Sequence, residues 1–151
     1  MKEIRAEITL EAPAARIWEL LADTALYHYW NPLFQQASGQ MKVGEQLELM
    51  VHLPQIEPFS VKPTLKRVVP QSAFCWQHVL QSKRILCWSF CTEIETLPDQ
   101  QLKVVLKSSF GGLLGPLFCL SMSTPIAAGL ESLNKALRRW GEKRNIQCLR
   151  C

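Results

Sequence analysis

The sequence predicts an α+β fold: a curved antiparallel sheet of six to seven strands wrapped around a long C-terminal helix, with two short helices after the first strand. Three observations carry this reading. Apolar residues alternate with period two through the middle of the chain. The period changes to that of a helix just after the first strand and again at the end. Turn-forming residues separate the middle strands closely enough for successive neighbours to pair as an antiparallel meander.

Residues 2–10 form the first strand, with Ile4, Ala6, Ile8 and Leu10 on one face and Glu3, Arg5, Glu7 and Thr9 on the other. Pro13 suits the first turn of a helix, where its missing N–H has no partner to lose. Ala14, Ile17, Trp18 and Leu21 then follow at helical spacing. Asp23 is placed to cap a second short helix carrying Leu26, Tyr27 and Trp30, and Asn31-Pro32 ends it. Period two begins at Leu47, Leu49, Val51 and Leu53. Val61, Pro63 and Leu65 form the next row, in which Pro63 implies an edge or a bulge. Phe74, Trp76, His78 and Leu80 share a face, as do Leu86, Trp88, Phe90, Thr92 and Ile94. Pro98-Asp99 marks a turn before Leu102, Val104, Leu106, Ser108 and Phe110. Ile126, Leu130, Leu133, Leu137 and Trp140 make the last helical stripe, opposite Glu131, Lys135, Arg138, Arg139 and Lys143. Pro125 cannot sit in an unbroken helix interior, so the helix either starts near it or is kinked there after a piece beginning at Pro116. Trp18, Trp76 and Leu133 are expected in the core. Residues 1–144 read as a single domain and 145–151 as a tail.

A chain of 151 residues can share one core between sheet and helices. With 48% hydrophobic and 20% charged residues it is an ordinary globular chain, not a disordered one. A net charge of +4 is compatible with transient contact with an anionic membrane surface. Basic residues interleaved with aromatics form no stripe, which argues against nucleic acid. Residues 108–130 carry no charge, yet Gly111, Gly112, Gly115, Pro116 and Pro125 interrupt them, so no integral membrane segment is expected. The N-terminus alternates charged and apolar residues without the apolar run of a secretory signal. Together with six Cys in no disulfide-framework spacing, this points to a cytoplasmic protein with free thiols.

The residues themselves are similar to a known family. Ala12-Pro13, Ile17-Trp18, Asp23, Tyr27 and Trp30-Asn31-Pro32 resemble the opening of the SRPBCC/START-like superfamily, and within it the polyketide cyclase/dehydrase and lipid transport group. Gly39 and Val43-Gly44, Lys62-Pro63-Thr64-Leu65, Pro70 and Phe74-Cys75-Trp76 follow in the order of that family's turns and middle strands. Phe110-Gly111-Gly112-Leu113-Leu114 resembles its loop into the last helix, and Gly129-Leu130-Glu131-Ser132-Leu133-Asn134-Lys135-Ala136-Leu137 that helix. The likeness runs from about Ile4 to about Lys143. It implies the helix-grip fold of the birch-pollen-allergen type. It also implies a class whose members include hydrophobic-ligand and lipid carriers, aromatase/cyclases, coenzyme-Q-binding proteins and co-chaperone domains.

No constellation of residues specifies a reaction. His28, His52 and His78 lack metal-ligand spacing, and Cys148 and Cys151 form one Cys-x-x-Cys at the chain's end, so neither a metal nor another cofactor is expected. Residues 111–115 are glycine-rich but lack the Lys-Ser/Thr of a phosphate loop. His78 is the candidate proton carrier, although a hydrogen-bonded core or rim histidine at the strand's end is the favoured reading. Arg67 shares a face with Leu65 on strict alternation and is a candidate anchor for an acidic head group, or else an edge arginine lying along the sheet. The candidate lining of a ligand cavity is Trp30, Phe74, Trp76, His78, Trp88, Phe90, Phe110, Leu114, Leu117, Phe118 and Met122, with Tyr27 and Phe59 as further aromatics. Leu114, Leu117, Phe118 and Met122 are expected to line its entrance on a partly mobile flap over residues 111–125. The expected function is binding of an apolar small molecule: a lipid, isoprenoid, or aromatic or polyketide-like compound. Cyclase/dehydratase chemistry in the same cavity and a co-chaperone-like interaction module are the alternatives.

Overall fold

The computed structural model describes residues 3–80 and 82–142. β1 (Glu3–Leu10) is followed by α1 (Ala14–Ala22), a 3₁₀ turn (Thr24–Leu26) and α2 (Tyr27–Trp30). β2 (Phe34–Ser38), β3 (Glu48–Val51) and β4 (Phe59–Val61) form a three-stranded sheet in that order. β5 (Thr64–Val69), β6 (Ala73–Leu80), β7 (Leu86–Thr96) and β8 (Leu102–Gly111) join β1 in a five-stranded sheet of order β1-β8-β7-β6-β5. The sheets meet along a seam where the Leu47 N–H donates to the Pro63 carbonyl and the Leu65 N–H to the Glu45 carbonyl, at 2.8 and 2.9 Å. The long helix α3 (Gly115–Gly141) packs on β1 and β8. This is the helix-grip architecture that the periodicities imply.

Among the described residues eight strands stand where six to seven were expected: β2 is unforeseen, and the row of Val61, Pro63 and Leu65 is divided between β4 and β5. Its sequence, Phe-Gln-Gln-Ala-Ser, shows no alternation. Pairing with β3 and a side-chain turn make the strand instead. Asn31 Oδ1 accepts from the N–H of Leu33 at 3.0 Å and of Phe34 at 2.8 Å, steering the chain out of α2. Asp23 precedes the 3₁₀ turn without a side-chain cap, whereas the Thr24 hydroxyl donates to the Gly39 carbonyl at 2.8 Å. Pro63 separates β4 from β5, in keeping with a residue that cannot donate to a ladder.

The core forms where α3 crosses the sheet. Trp76 and Leu133 are buried, and Trp18 is half-buried, edge-on to Phe74 at 6.3 Å. α3 runs unbroken through Pro125, so the sequence-based choice between a late start and a kinked earlier piece falls to an early start at Gly115. Pro116 fits the first turn. Pro125 has no N–H to give the Ser121 carbonyl. The apolar stripe nevertheless continues across it, with Cys119, Ile126, Leu130, Leu133 and Leu137 all buried, and that burial keeps the helix going. At Gly129 a Cβ would come within 2.9 Å of the terminal methyls of both Leu33 and Leu53, so the helix lies close against the segments around β2 and β3, and a side chain there would make both leucines shift.

Two corrections concern single side chains. Cys75 and Cys91 sit directly opposite on β6 and β7, with Cα atoms 4.1 Å apart, and are joined as a disulfide. The free-thiol reading holds for Cys87 and Cys119, which are buried. Cys148, Cys151 and the proposed tail lie outside the described residues. Arg67 leaves the inner face, because a bulge between Leu65 and Arg67 inserts Lys66 and reverses the alternation. Arg67 therefore pairs with Cys75 on the exposed face.

Asn134 sits inside α3 next to the stripe, buried, and neither Oδ1 nor Nδ2 has a partner among the described residues. An unpaired buried amide costs stability where a neighbouring leucine adds it. Leu133→Ala is expected to lower the unfolding free energy by about 2–5 kcal/mol. Asn134→Ala is expected to leave it within about 1 kcal/mol of wild type or raise it. Chemical denaturation of the two variants checks both, and a large loss at Asn134→Ala would show that the amide is bonded. Reduction of the Cys75–Cys91 bridge, or the double serine variant, is expected to cost about 2–3 kcal/mol by releasing a short loop in the unfolded chain; matched melts with and without reductant measure it.

Candidate functional site

Directly opposed inner positions on β6, β7 and β8 hold rings. His78 faces Trp88 and Trp88 faces Phe110 in one row, while Trp76 faces Phe90 in the next. Trp76 stacks on Phe90 at 5.2 Å and 28°, and Phe34 from β2 meets both edge-on at 6.0 and 5.4 Å. This second row is closed by its own side chains. The first row is not. Above it lies a cavity of about 350 Å³ lined by Ile56, Phe59, Ser60, Val61, His78, Leu80, Trp88, Phe110, Phe118, Met122 and Ile126. The sheet supplies its floor, β4 and the segment before it one wall, and the first half of α3 the other.

Each ring of the floor is fixed by a neighbour. The Trp88 indole N–H donates to Ser108 Oγ at 2.6 Å, which settles its polar edge inside the protein. Trp88 also stacks on Phe110 at 5.9 Å and 21°, and Phe110 meets Phe118 of α3 at 4.9 Å. His78 is the titratable side chain in the lining. Its Nδ1 accepts from the Lys62 backbone N–H at 3.3 Å, which assigns the hydrogen of the neutral ring to Nε2. Burial pushes the imidazole below the usual histidine range. The arrangement can therefore hold an apolar body against rings and offer it one neutral imidazole. Among the described residues no group of three or more His, Cys, Asp or Glu could hold a metal.

The structure brings together His78, Trp88, Phe110, Phe118 and Met122 of the eleven residues named from sequence. Phe74, Trp76 and Phe90 pack in the filled part of the core, and Trp30 is buried edge-on to Tyr27 at 5.6 Å. Leu114 and Leu117 turn outward and are exposed. Their assignment to the entrance is corrected by the helix itself: residues 115–124 are helical rather than a loose flap, and a helix sends neighbouring positions to different sides. Sequence reasoning missed Ile56, Ser60, Val61, Leu80 and Ile126 as lining. Pro54 and Pro58 around Ile56 were the available signal, since they force that segment out of the sheet and over the cavity. Ser108 as partner of Trp88 was legible only as a polar residue on an inward row.

No protein-family model and no curated protein matches the sequence. Solved structures match the fold. The Zhui aromatase/cyclase from Streptomyces sp. R1128 superposes with a TM-score of 0.75 at 18% identity, covering 95% of this chain and 94% of that one. A START superfamily protein from Mycobacterium smegmatis gives 0.70 at 17%, with 93% and 97% covered. Norcoclaurine synthase from Thalictrum flavum gives 0.65 at 15%, with 91% and 84% covered. The chain has the SRPBCC/START-like fold.

The His78 environment generates a pH dependence. A histidine whose folded value is depressed binds its proton more readily in the unfolded chain. Stability is then fully present above the ordinary value of about 6.5 and falls as pH drops through it toward the folded value. Wild type is expected to lose stability between neutral and mildly acidic pH more steeply than His78→Gln, as measured by denaturation at several pH values. Parallel curves would show that the imidazole titrates as it does in water.

Proposed function

We propose that the chain is a carrier or sensor that holds one small apolar molecule, of isoprenoid, fatty or aromatic character, in the cavity above the His78–Trp88–Phe110 row. The observation that carries this reading is the lining: ten of its eleven residues bear no titratable group, and the most deeply placed polar edge, that of Trp88, is already bonded to Ser108. A wall of this kind rewards burial of apolar surface and does not polarise a bond. A volume of about 350 Å³ lies at the low end of ligand sites, which favours a single chain or ring system over a two-chain phospholipid.

Cyclase/dehydratase chemistry is the second reading. The fold shared with an aromatase/cyclase and the neutral His78 Nε2–H in the lining favour it. A positioned substrate and one proton carrier could suffice for such a step. Against it stands the lack of a second titratable group in the lining to take or return a proton.

Native mass spectrometry of the protein from its own organism is expected to show one small molecule per chain, and a fluorescent fatty-acid or polyaromatic probe should bind with one-to-one stoichiometry. Met122→Trp places an indole in the cavity and is expected to weaken the probe at least about ten-fold while the fold persists by circular dichroism. Unaltered probe affinity in Met122→Trp would overturn the assignment of this cavity. His78→Gln separates the two readings: a carrier keeps its ligand, whereas an enzyme keeps binding but loses turnover.

A further inference from the structure

The outer side of the helix that walls the cavity is apolar where solvent should favour polar residues. Leu117 is 66% exposed and Leu120 75%, three residues apart on one side of the first turns of α3, and Leu113, 84% exposed, lies in the turn just before the helix. Isolated exposed leucines are common, but a contiguous set at helical spacing marks a surface that another phase or molecule covers. Beside this set runs the loop between β6 and β7. The Leu113 N–H donates to the Arg84 carbonyl at 2.8 Å and the Leu114 N–H to the Ile85 carbonyl at 2.9 Å, so the loop is tied to the start of the helix. It brings exposed Lys83 and Arg84 next to the leucines. Neither residues 82–86 nor residues 111–130 contain an acidic side chain. The patch is thus apolar in the middle, cationic at one rim and free of acidic residues along both segments that build it.

We propose that this face docks on a membrane surface containing anionic lipid. Leu113, Leu117 and Leu120 enter the boundary between headgroups and acyl chains, and Lys83 and Arg84 meet the lipid phosphates. The chemistry of the patch selects this occupant. A bilayer interface presents negative charge over an apolar layer, the same order in which the loop and the helix present cations beside leucines. The position has a functional sense as well. Phe118 and Met122 on the other side of the same helix line the cavity, and Leu80 at the end of β6 leads from the lining into the basic loop. Docking would bring the cavity's end of the molecule against the membrane. No helix among the described residues is long and apolar enough to cross a membrane, so the contact is a peripheral one.

Vesicle flotation tests the proposal without any cavity ligand. The wild-type chain is expected to float with phosphatidylcholine vesicles containing phosphatidylglycerol and to stay largely unbound with phosphatidylcholine alone. Leu117→Glu/Leu120→Glu should weaken binding by about ten-fold or more, and Lys83→Gln/Arg84→Gln by about ten- to thirty-fold. Both pairs are exposed, so circular dichroism and probe binding in the cavity should match wild type. Met122→Trp, which fills the cavity, should still float, and this keeps failure of docking distinct from failure of the ligand reading. The proposal is overturned if wild type ignores anionic vesicles, or if either double variant floats as wild type does. It is equally overturned if sedimentation shows a dimer that the glutamates dissociate, since the leucines then face a second copy of the chain.

Discussion

The packing of Trp76 on Phe90, with Phe34 set edge-on against both, decides where empty space can exist inside this protein. A curved sheet gripping one helix always leaves a wedge between them. Here three rings close the middle of that wedge, and burial of such rings contributes more per residue than any aliphatic packing could. The next row of rings, His78, Trp88 and Phe110, is left facing a gap. The depth of the cavity follows from that one filled layer.

The fold was legible because its signals are periodic and redundant. Ile126, Leu130, Leu133 and Leu137 announce a helix, and Trp76, Trp88 and Phe110 lie on rows whose inward direction alternation alone reveals. What was not legible arises where one residue acts against its neighbourhood. Lys66 is ordinary in composition yet shifts the parity of its strand, and this moved Arg67 from a candidate anchor to the outer face. Pro125 is a breaker by local rule, but Ile126 and Cys119 on either side bury enough surface to hold the helix together. β2 has no pattern because its partner strand and Asn31 specify it. Of the candidate site, sequence identified the inward rows of β6, β7 and β8 without telling filled core from cavity wall. That difference depends on whether a ring such as Phe34 arrives from a distant part of the chain.

Both sides of the first half of α3 carry apolar residues, which accounts for its uncharged sequence better than either loop or span does. Phe118 and Met122 face the cavity, Cys119 packs beneath, and Leu117 and Leu120 face outward. A helix that is apolar all round belongs between two apolar surroundings. One of them is the protein's own interior. Beyond Leu130 the charged face returns, and with it the ordinary division between a core side and a solvent side.

The bulge at Lys66 acts on side-chain direction as a frameshift acts on codons. Upstream of it Leu65 points in; downstream, Val68 points in while Arg67 and Val69 point out. Deleting Lys66 would remove the bulge and leave a regular ladder, with Arg67 still opposite Cys75 and Val68 still opposite Phe74. β5 is the last strand on its side of the five-stranded sheet, so its far edge has no ladder in that sheet to break. A lineage of such proteins can therefore gain or lose the residue at the bulge without turning any other side chain of β5 to the opposite face, so this margin of the sheet tolerates a change in length while its inner side stays apolar.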